Sequence, residues 1–408
     1  MHLSYRIAVR YFFSRNKRSF ISVIARIAMA GVAVGTMAMV VVLSVFNGME
    51  DLNRKIFKTF DADVKITPAE GKRFKTDNAL IQKVRSVEGV RLVTQVVEDN
   101  ALAQYGNQQI IVRLKGVDST FQRQGQLDTA IIEGTLKLYG QGGTPYGIIA
   151  EGVRNALSIT LEDIITPLQL MYPKTGSKTL NLTSSEAFNH LMLRPGGIFF
   201  IETRYDDYVI APIALVEKLM GYEGERSSLE VQVMPGYKEE KVSRRIADQL
   251  GDRFVVRDRD SLNSDLLRAI RLEKLFVAIT LSFIILVAAI NIFFSLSMLA
   301  IEKKKDVSML YALGATPGLI RRIFLAEGAI VALSGALAGL GGGILLCVLQ
   351  LKYGFVSMGM ATSLVDAYPV KLIWADILYT GVIVVIITML VSYIPARRAA
   401  EAGRILPT

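Results

Sequence analysis

The chain has 408 residues, 51% hydrophobic and 21% charged, and 47 Lys and Arg against 37 Asp and Glu leave it a net charge of +10. Four stretches, 27–49, 275–301, 328–351 and 377–396, contain no charged residue. Each is long enough to cross a ~30 Å hydrocarbon core at ~1.5 Å per residue, so an ordinary soluble protein is excluded.

In chain order, residues 1–20 mix Leu3, Tyr5, Ile7, Val9, Phe12 and Phe13 with Arg6, Arg10 and Arg15. That composition suits an amphipathic helix lying in the interface. The apolar run after it is too long for a cleavable signal peptide, and no small-residue cleavage pattern follows. A first span is expected at 21–49, and a large external domain at 50–270. Further spans are expected at 271–301, 321–351 and 375–395. They are joined by a 302–320 segment and a 352–374 loop, and followed by a 396–408 tail.

The charge orients these spans. Residues 1–26, 302–327 and 397–408 together hold 14 basic and 4 acidic groups, whereas 50–274 holds 31 of each. The whole excess therefore flanks the membrane, which places both termini and the 302–327 segment in the cytoplasm. The natural partners of the basic N-terminus are anionic membrane lipids. A neutral external domain without an aromatic-basic platform excludes nucleic acid.

The external domain reads as short strands and helices. Residues 63–67 (DVKIT) alternate as a strand, and 78–87 place Ala79, Leu80, Ile81, Val84 and Val87 on one helical face before Gly89. Strands are expected at 91–97 and 109–114, around the Gly106-Asn107 turn. A similar order returns as helix 212–220, strand 229–233, helix 239–250 and strand 254–257. The spacing predicts one α+β subdomain, 50–117 and 206–262, split by a β-rich insertion at 118–205. Within that insertion, 175–184 (TGSKTLNLTS) is polar and small, and predicts a protruding loop.

Within the spans, Gly335, Gly339 and Gly343 fall four apart, as do Gly31 and Gly35. Small residues on one face let helices approach closely, so both spans are expected to pack against another helix. Asn291 is the most polar residue of span two and is expected to hydrogen-bond a neighbouring helix.

Enzymatic chemistry finds no support. There is no G-x-x-x-x-G-K-[ST] phosphate loop and no G-x-S-x-G. The only histidines, His2 and His190, are placed on opposite sides of the membrane, and Cys347 is the single cysteine. No zinc site or disulfide is expected from such a set. Asp206-Asp207 and Glu239-Glu240 read as solvated surface. With no charged group inside the spans there is no visible coupling-ion site. Energy for any transport is expected from a partner.

Three motifs carry a family resemblance. GVAVGTMAMVVVLSVFNGMEDL (31–52) resembles the first-span signature of the LolC/LolE lipoprotein-releasing permeases, within the MacB/FtsX-like superfamily. EKKKDVSMLYALGATPGLIRRIFLAEGAI (302–330) is similar to the coupling segment, and SYIPARRAAEAGRILP (392–407) to the C-terminal motif of that family. The resemblance implies four transmembrane helices plus a periplasmic α+β domain, with the split subdomain porter-like. It further implies a permease in the bacterial inner membrane that extracts lipoproteins and passes them to a periplasmic carrier. A cytoplasmic ATPase dimer would carry ATP and Mg, this chain would bind no cofactor, and a second permease copy or paralogue would complete the complex. The alternatives within the superfamily are a MacB-like efflux permease and an FtsX-like regulator of a periplasmic hydrolase.

The same resemblance implies site residues. Lipoprotein acyl chains would meet Phe46, Met49, Leu52 and Ile56, with Phe57 beside them, and Leu262, Leu266 and Ile270, with Leu275 beyond. These residues equally suit packing against the second permease, and both roles are compatible. Lys305, Val307, Leu310, Tyr311 and Gly314 would couple to the ATPase through an amphipathic helix that Gly314 ends and Pro317 restarts. A carrier-binding loop would include Tyr172, Pro173, Thr175, Leu180 and Leu182.

Overall fold

The computed structural model describes residues 20–163, 165–174, 187–358 and 367–402. The chain divides into two compact units. One comprises 1–52, 268–359 and 365–408, and the other 53–267 with 360–364.

The first unit is helical. Helices α1 (Phe20–Phe60), α2 (Ser264–Glu302), α4 (Pro317–Tyr353) and α5 (Trp374–Ala402) contain the four charge-free stretches, and the short α3 (Lys304–Ala312) links α2 to α4. Their ends follow local chemistry. Thr316 caps α4 by accepting from the Leu319 amide at 3.3 Å, Pro317 fills its first position, and Gly354 at φ +60° closes it.

In hydrocarbon, apolar burial gives helices little reason to associate, so close packing has to hold them. The glycine faces supply it. A Cβ on Gly335 or Gly343 would strike α1 at Val32 or Val40. Gly31 and Gly35 look instead toward Ala288 and Ile285 of α2. Buried hydroxyls on α1 and α5 bond back to their own helices: Thr36 to Val32 O and Thr388 to Val384 O, both at 2.7 Å. Asn291 departs from expectation. It is exposed on α2, and its amide bonds no helix among the described residues.

The second unit is built on a ten-stranded sheet. Its strands are β1 (Val64–Pro68), β3 (Val90–Tyr105), β4 (Gln108–Val117), β5 (Ile131–Gly134), β6 (Tyr146–Ala150), β7 (Leu168–Pro173), β8 (Phe188–Phe199), β9 (Tyr208–Pro212), β11 (Ser228–Val233) and β12 (Phe254–Asp258). Two short strands, β2 (Phe74–Lys75) and β10 (Glu225–Arg226), pair separately. The order is β12-β1-β11-β3-β4-β9-β6-β8-β5, with β7 joining β3 to β8. Strands β3, β4, β9, β6, β8 and β7 thereby close a ring of pairings.

The strands from 118–205 continue this sheet rather than forming one apart, because β6 pairs with β9 and β7 with β3. Strand β3 also runs far past the expected 91–97, to Tyr105, since its second half finds partners in both β4 and β7. Helices Asn78–Arg85 and Glu239–Leu250 cover one face of β1, β3 and β11. They enclose Val64, Ile66, Val84, Val93, Leu229, Val231, Val242 and Ile246. Fully burying a side chain of this kind is worth roughly 1.5–3 kcal/mol.

Candidate transport and coupling sites

The coupling segment folds as expected at its ends. Helix α3 stops where Gly314 takes φ +88°, with its amide on Tyr311 O and the Ala315 amide on Leu310 O, both at 2.9 Å. The helix's apolar stripe, however, does not face outward. Val307 is 3% exposed, and it packs with Leu299, Ile320, Ile323, Phe324, Ala396 and Ala399. Leu310 and Tyr311 lie against the same cluster, and the Tyr311 hydroxyl donates to Ala400 O at 2.6 Å. Val307, Leu310 and Tyr311 therefore anchor α3 to α4 and α5. The physical reason is that α5 presents small residues, Ala396, Ala399 and Ala400, against which the stripe closes. What α3 exposes is Lys305, Met309 at 59% and, just beyond the helix, Leu313 at 84%, next to Gly314.

At the opposite end of these helices the Asn-Gly of the first-span motif has a defined role. Asn47 Nδ2 donates to Asp376 Oδ2 at 2.6 Å, and Lys274 Nζ reaches Asn47 Oδ1 at 2.8 Å and Asp376 at 2.7 Å. One amide and one ion pair thus tie α1, α2 and α5. Gly48 sits against the Pro369 backbone, where a Cβ would fall 2.5 Å from the carbonyl carbon. Lys274 and Asp376 border charge-free stretches, so their charge was visible in the sequence while their pairing was not.

The residues expected at acyl chains divide. Phe46, Met49 and Leu52 on α1 are half-buried, as are Leu262 and Ile270, and Leu266 is exposed. Ile56 is corrected: it is buried in the second unit, and Phe57 next to it is completely so. Phe60, a turn later, explains why. Its ring lies 4.7 Å from those of Tyr205 and Tyr208 and 5.9 Å from Phe199, so this end of α1 is core rather than open surface.

Beneath Phe60 the second face of the sheet is polar and buried. Lys115 Nζ bonds Glu230 at 2.9 Å, with both side chains 3–4% exposed, and stands 4.7 Å from the Phe60 ring centre. Lys65 lies 3.6 Å from Glu98, and Tyr208 donates to Glu98 at 2.9 Å. Nearby, Arg259 bonds Asp63, and also Glu239 at 2.8 Å, while Asn263 donates to Asp61 at 2.8 Å. Of the paired carboxylates Glu240 is exposed, as expected, and two others are corrected. Asp207 pairs with Arg113 at 2.8 Å and Glu239 with Arg259, rather than standing as free solvated charge. The signal for this network lay in charged residues inside strands, Lys115 in β4 and Glu230 in β11, which alternation assigns to solvent.

This network sets a pH window. Burial opposes ionisation of Glu98, but Lys65, Lys115 and the Tyr208 hydroxyl outweigh it and hold its carboxyl below the ordinary 4.5. Burial likewise opposes the charge on Lys65, and Glu98, Glu230 and Asp61 outweigh it, raising its amine above 10.5. A lowered carboxyl contributes stability above its unfolded value and loses it as pH falls through the folded one; a raised amine loses its contribution only as pH rises beyond 10.5. Thermal unfolding of the full chain should therefore be level near neutrality and fall below about pH 4.5. Glu98→Gln should make that acid fall shallower; an unchanged acid slope would refute the assignment.

For the carrier-binding loop, β7 and β8 pair from Leu168↔Leu193 to Pro173↔Phe188. Tyr172 is held within β7 by its hydroxyl, which donates to Asp99 at 2.9 Å and also contacts Tyr222. It therefore belongs to the sheet, with Pro173 at the strand end. Thr175, Leu180 and Leu182 lie outside the described residues.

Residues 26–166 match the family described as MacB-like periplasmic core domain, and 278–403 that described as FtsX-like permease C-terminal. The lipoprotein-releasing system transmembrane protein LolE of Haemophilus influenzae is 23% identical across 98% of this chain and 98% of its own length. LolC of Neisseria meningitidis serogroup B is 23% identical across 97% of this chain and 96% of its own. Along nearly its whole length the chain is similar to the LolC/LolE-type permeases, and its two matched segments to the MacB/FtsX-like superfamily. Among solved structures, the periplasmic region of MacB from Actinobacillus actinomycetemcomitans covers 50% of the permease and 91% of itself, at 10% identity and a TM-score of 0.35. The chain combines four helices long and apolar enough to cross a membrane with an α+β domain that matches the MacB-like periplasmic core.

Proposed function

We propose that this permease is the membrane subunit of an ATP-driven complex that extracts lipoproteins from the outer leaflet of the inner membrane and hands them to a periplasmic carrier. The observation that carries this reading is likeness to lipoprotein-releasing system proteins along nearly the whole chain, not over one domain. A cytoplasmic ATPase dimer holds ATP and Mg, and a second permease copy or paralogue completes the assembly. Both termini and α3 are cytoplasmic, in keeping with the basic excess around them. The split organisation, 50–117 and 206–262 as a porter-like part with 118–205 inserted, is the reading that sequence order and the family suggest.

Within this reading α3 has an inner and an outer surface. Val307, Leu310 and Tyr311 hold it to α4 and α5, so that a push on α3 moves those helices. The ATPase meets the outer surface, Lys305, Met309, Leu313 and Gly314, as a helix face seated in a groove. Phe46, Met49, Leu52, Leu262, Leu266 and Ile270 contact acyl chains, for which Met and Phe offer pliable apolar surface. The carrier is engaged by the segment between β7 and β8.

Co-purification of the tagged chain in mild detergent, with mass spectrometry of proteins and acylated peptides, tests this. An ATPase and triacylated lipoproteins are expected. Met309→Asp with Leu313→Asp should lose the ATPase, and Phe46→Asp with Met49→Asp should lose the acylated peptides while keeping it. An ATPase recovered with a membrane-fusion adaptor or a hydrolase, and no lipoprotein, would overturn the cargo assignment.

A further inference from the structure

A cleft of about 400 Å³ opens between the first turn of α4 and the last turns of α5. Two guanidiniums, Arg321 and Arg397, line it together with the Tyr393 ring, Gly318 and Glu401. Arg321 stands over the Tyr393 ring at 5.9 Å and has no carboxylate partner among the described residues. Arg397 spends only Nε, on Glu401 at 2.9 Å, and its two terminal nitrogens bond nothing among the described residues. The third donor is backbone. Thr316 accepts the Leu319 and Ile320 amides and Pro317 has none, which leaves the Gly318 amide as the first-turn donor without an acceptor. A Cβ on Gly318 would meet nothing nearer than Thr316 Oγ1 at 3.9 Å, so this backbone is open to approach.

From this geometry we propose that the cleft binds the phosphate of an anionic phospholipid headgroup. Two forked guanidiniums and an orphan amide at a helix start are donors that suit phosphate oxygens. Glu401 decides the charge state. Its carboxylate on the rim penalises a dianion, so a phosphodiester carrying one charge is preferred to inorganic phosphate. The surroundings decide the source: beyond the cleft α5 is charge-free back to residue 377 and α4 is charge-free over 328–351, past the buried Glu327, so acyl chains attached to the phosphate find apolar helix surface. Basic pockets between spanning helices at the positive end of a membrane protein recognise headgroups in this way. The site differs from the cargo-contacting and ATPase-contacting residues and stands whether or not the lipoprotein reading does.

Native mass spectrometry of the full chain in mild detergent, titrated with phosphatidylglycerol or phosphatidylethanolamine, tests the proposal. The wild-type chain should retain phosphatidylglycerol preferentially, and Arg321→Gln with Arg397→Gln should weaken that retention roughly thirtyfold. Arg322→Gln with Arg398→Gln removes the same charge from adjacent positions outside the cleft, and should change retention by about threefold or less. Arg397→Lys, which keeps charge but loses the fork, should give an intermediate loss and serves should the double variant misfold. Equal losses in the two double variants would mean bulk charge and overturn the site. Displacement of the lipid by inorganic phosphate as readily as by glycerophosphoglycerol would reassign the cleft to soluble phosphate. Loss of a bound ATPase with lipid retention unchanged would assign the arginines to a protein partner.

Discussion

Gly339→Leu is expected to prevent the helical unit from assembling, while Gly341→Leu, two residues along the same helix, is expected to be silent. The contrast comes from what each Cα faces. A Cβ on Gly339 would run into the Ala33 carbonyl and lie 2.6 Å from Thr36 Cβ, whereas one on Gly341 meets nothing within 4 Å. The obstruction on α1 is backbone, so no rotamer change relieves it and α1 and α4 must separate. Overpacking ordinarily costs about 1–3 kcal/mol, and more where backbone must shift. Separation also strips contacts from Gly335 and Gly343, which face α1 along the same stripe. Against a total stability of about 5–15 kcal/mol that loss is decisive. Yield and monodispersity in mild detergent, with a thermal midpoint, would check it. A Gly339→Leu chain with wild-type yield and midpoint would mean that α1 and α4 are not in this contact.

Glu230→Ala is the second large effect. It strands the Lys115 ammonium, whose side chain is 3% exposed, with its nearest carboxylate removed. Deleting one partner of a buried pair costs about 3–5 kcal/mol, because the remaining charge is neither solvated nor neutralised. For a unit of this size the thermal midpoint should fall by roughly 6–20 °C. The companion variant discriminates between a lost contact and a stranded charge. Lys115→Met with Glu230→Leu removes both charges, leaves Lys65 beside Glu98, and should unfold close to or above the wild-type midpoint. If the double variant is as damaged as the single, the pair's worth lies in its geometry and not in compensation.

Helix α1 takes part in the packing of each unit separately. Helix α1 is gripped by glycines on α4 in the first unit, and its last turn is core in the second, where Phe60 lies among Tyr205, Tyr208 and Lys115. Asn47, Lys274 and Asp376 hold α1 to α2 and α5.

The four spans, the helix stops at Gly314 and Gly251, and the Ile81–Val84 face of Asn78–Arg85 were legible in the residues alone. They depend on length, charge exclusion, capping and period, which are local properties. The three quoted motifs carried the family for the same reason: each is a contiguous string. What tertiary structure decided was who covers each face. Val307, Leu310 and Tyr311 have the spacing of a docking stripe, but spacing cannot distinguish a partner's groove from the chain's own alanines on α5. Ile56 and Phe60 continue the period of a membrane helix, yet both are buried, and the ring partners of Phe60 are Phe199, Tyr205 and Tyr208, some 140 residues away. Lys115 and Glu230 look solvated because alternation assigns one strand face to water, and only a second layer over that face buries them as a pair. The Arg321–Arg397 cleft, likewise, joins the start of one helix to the end of another. Period and composition describe what a segment offers; only the fold, by bringing distant segments within bonding distance, determines what accepts it.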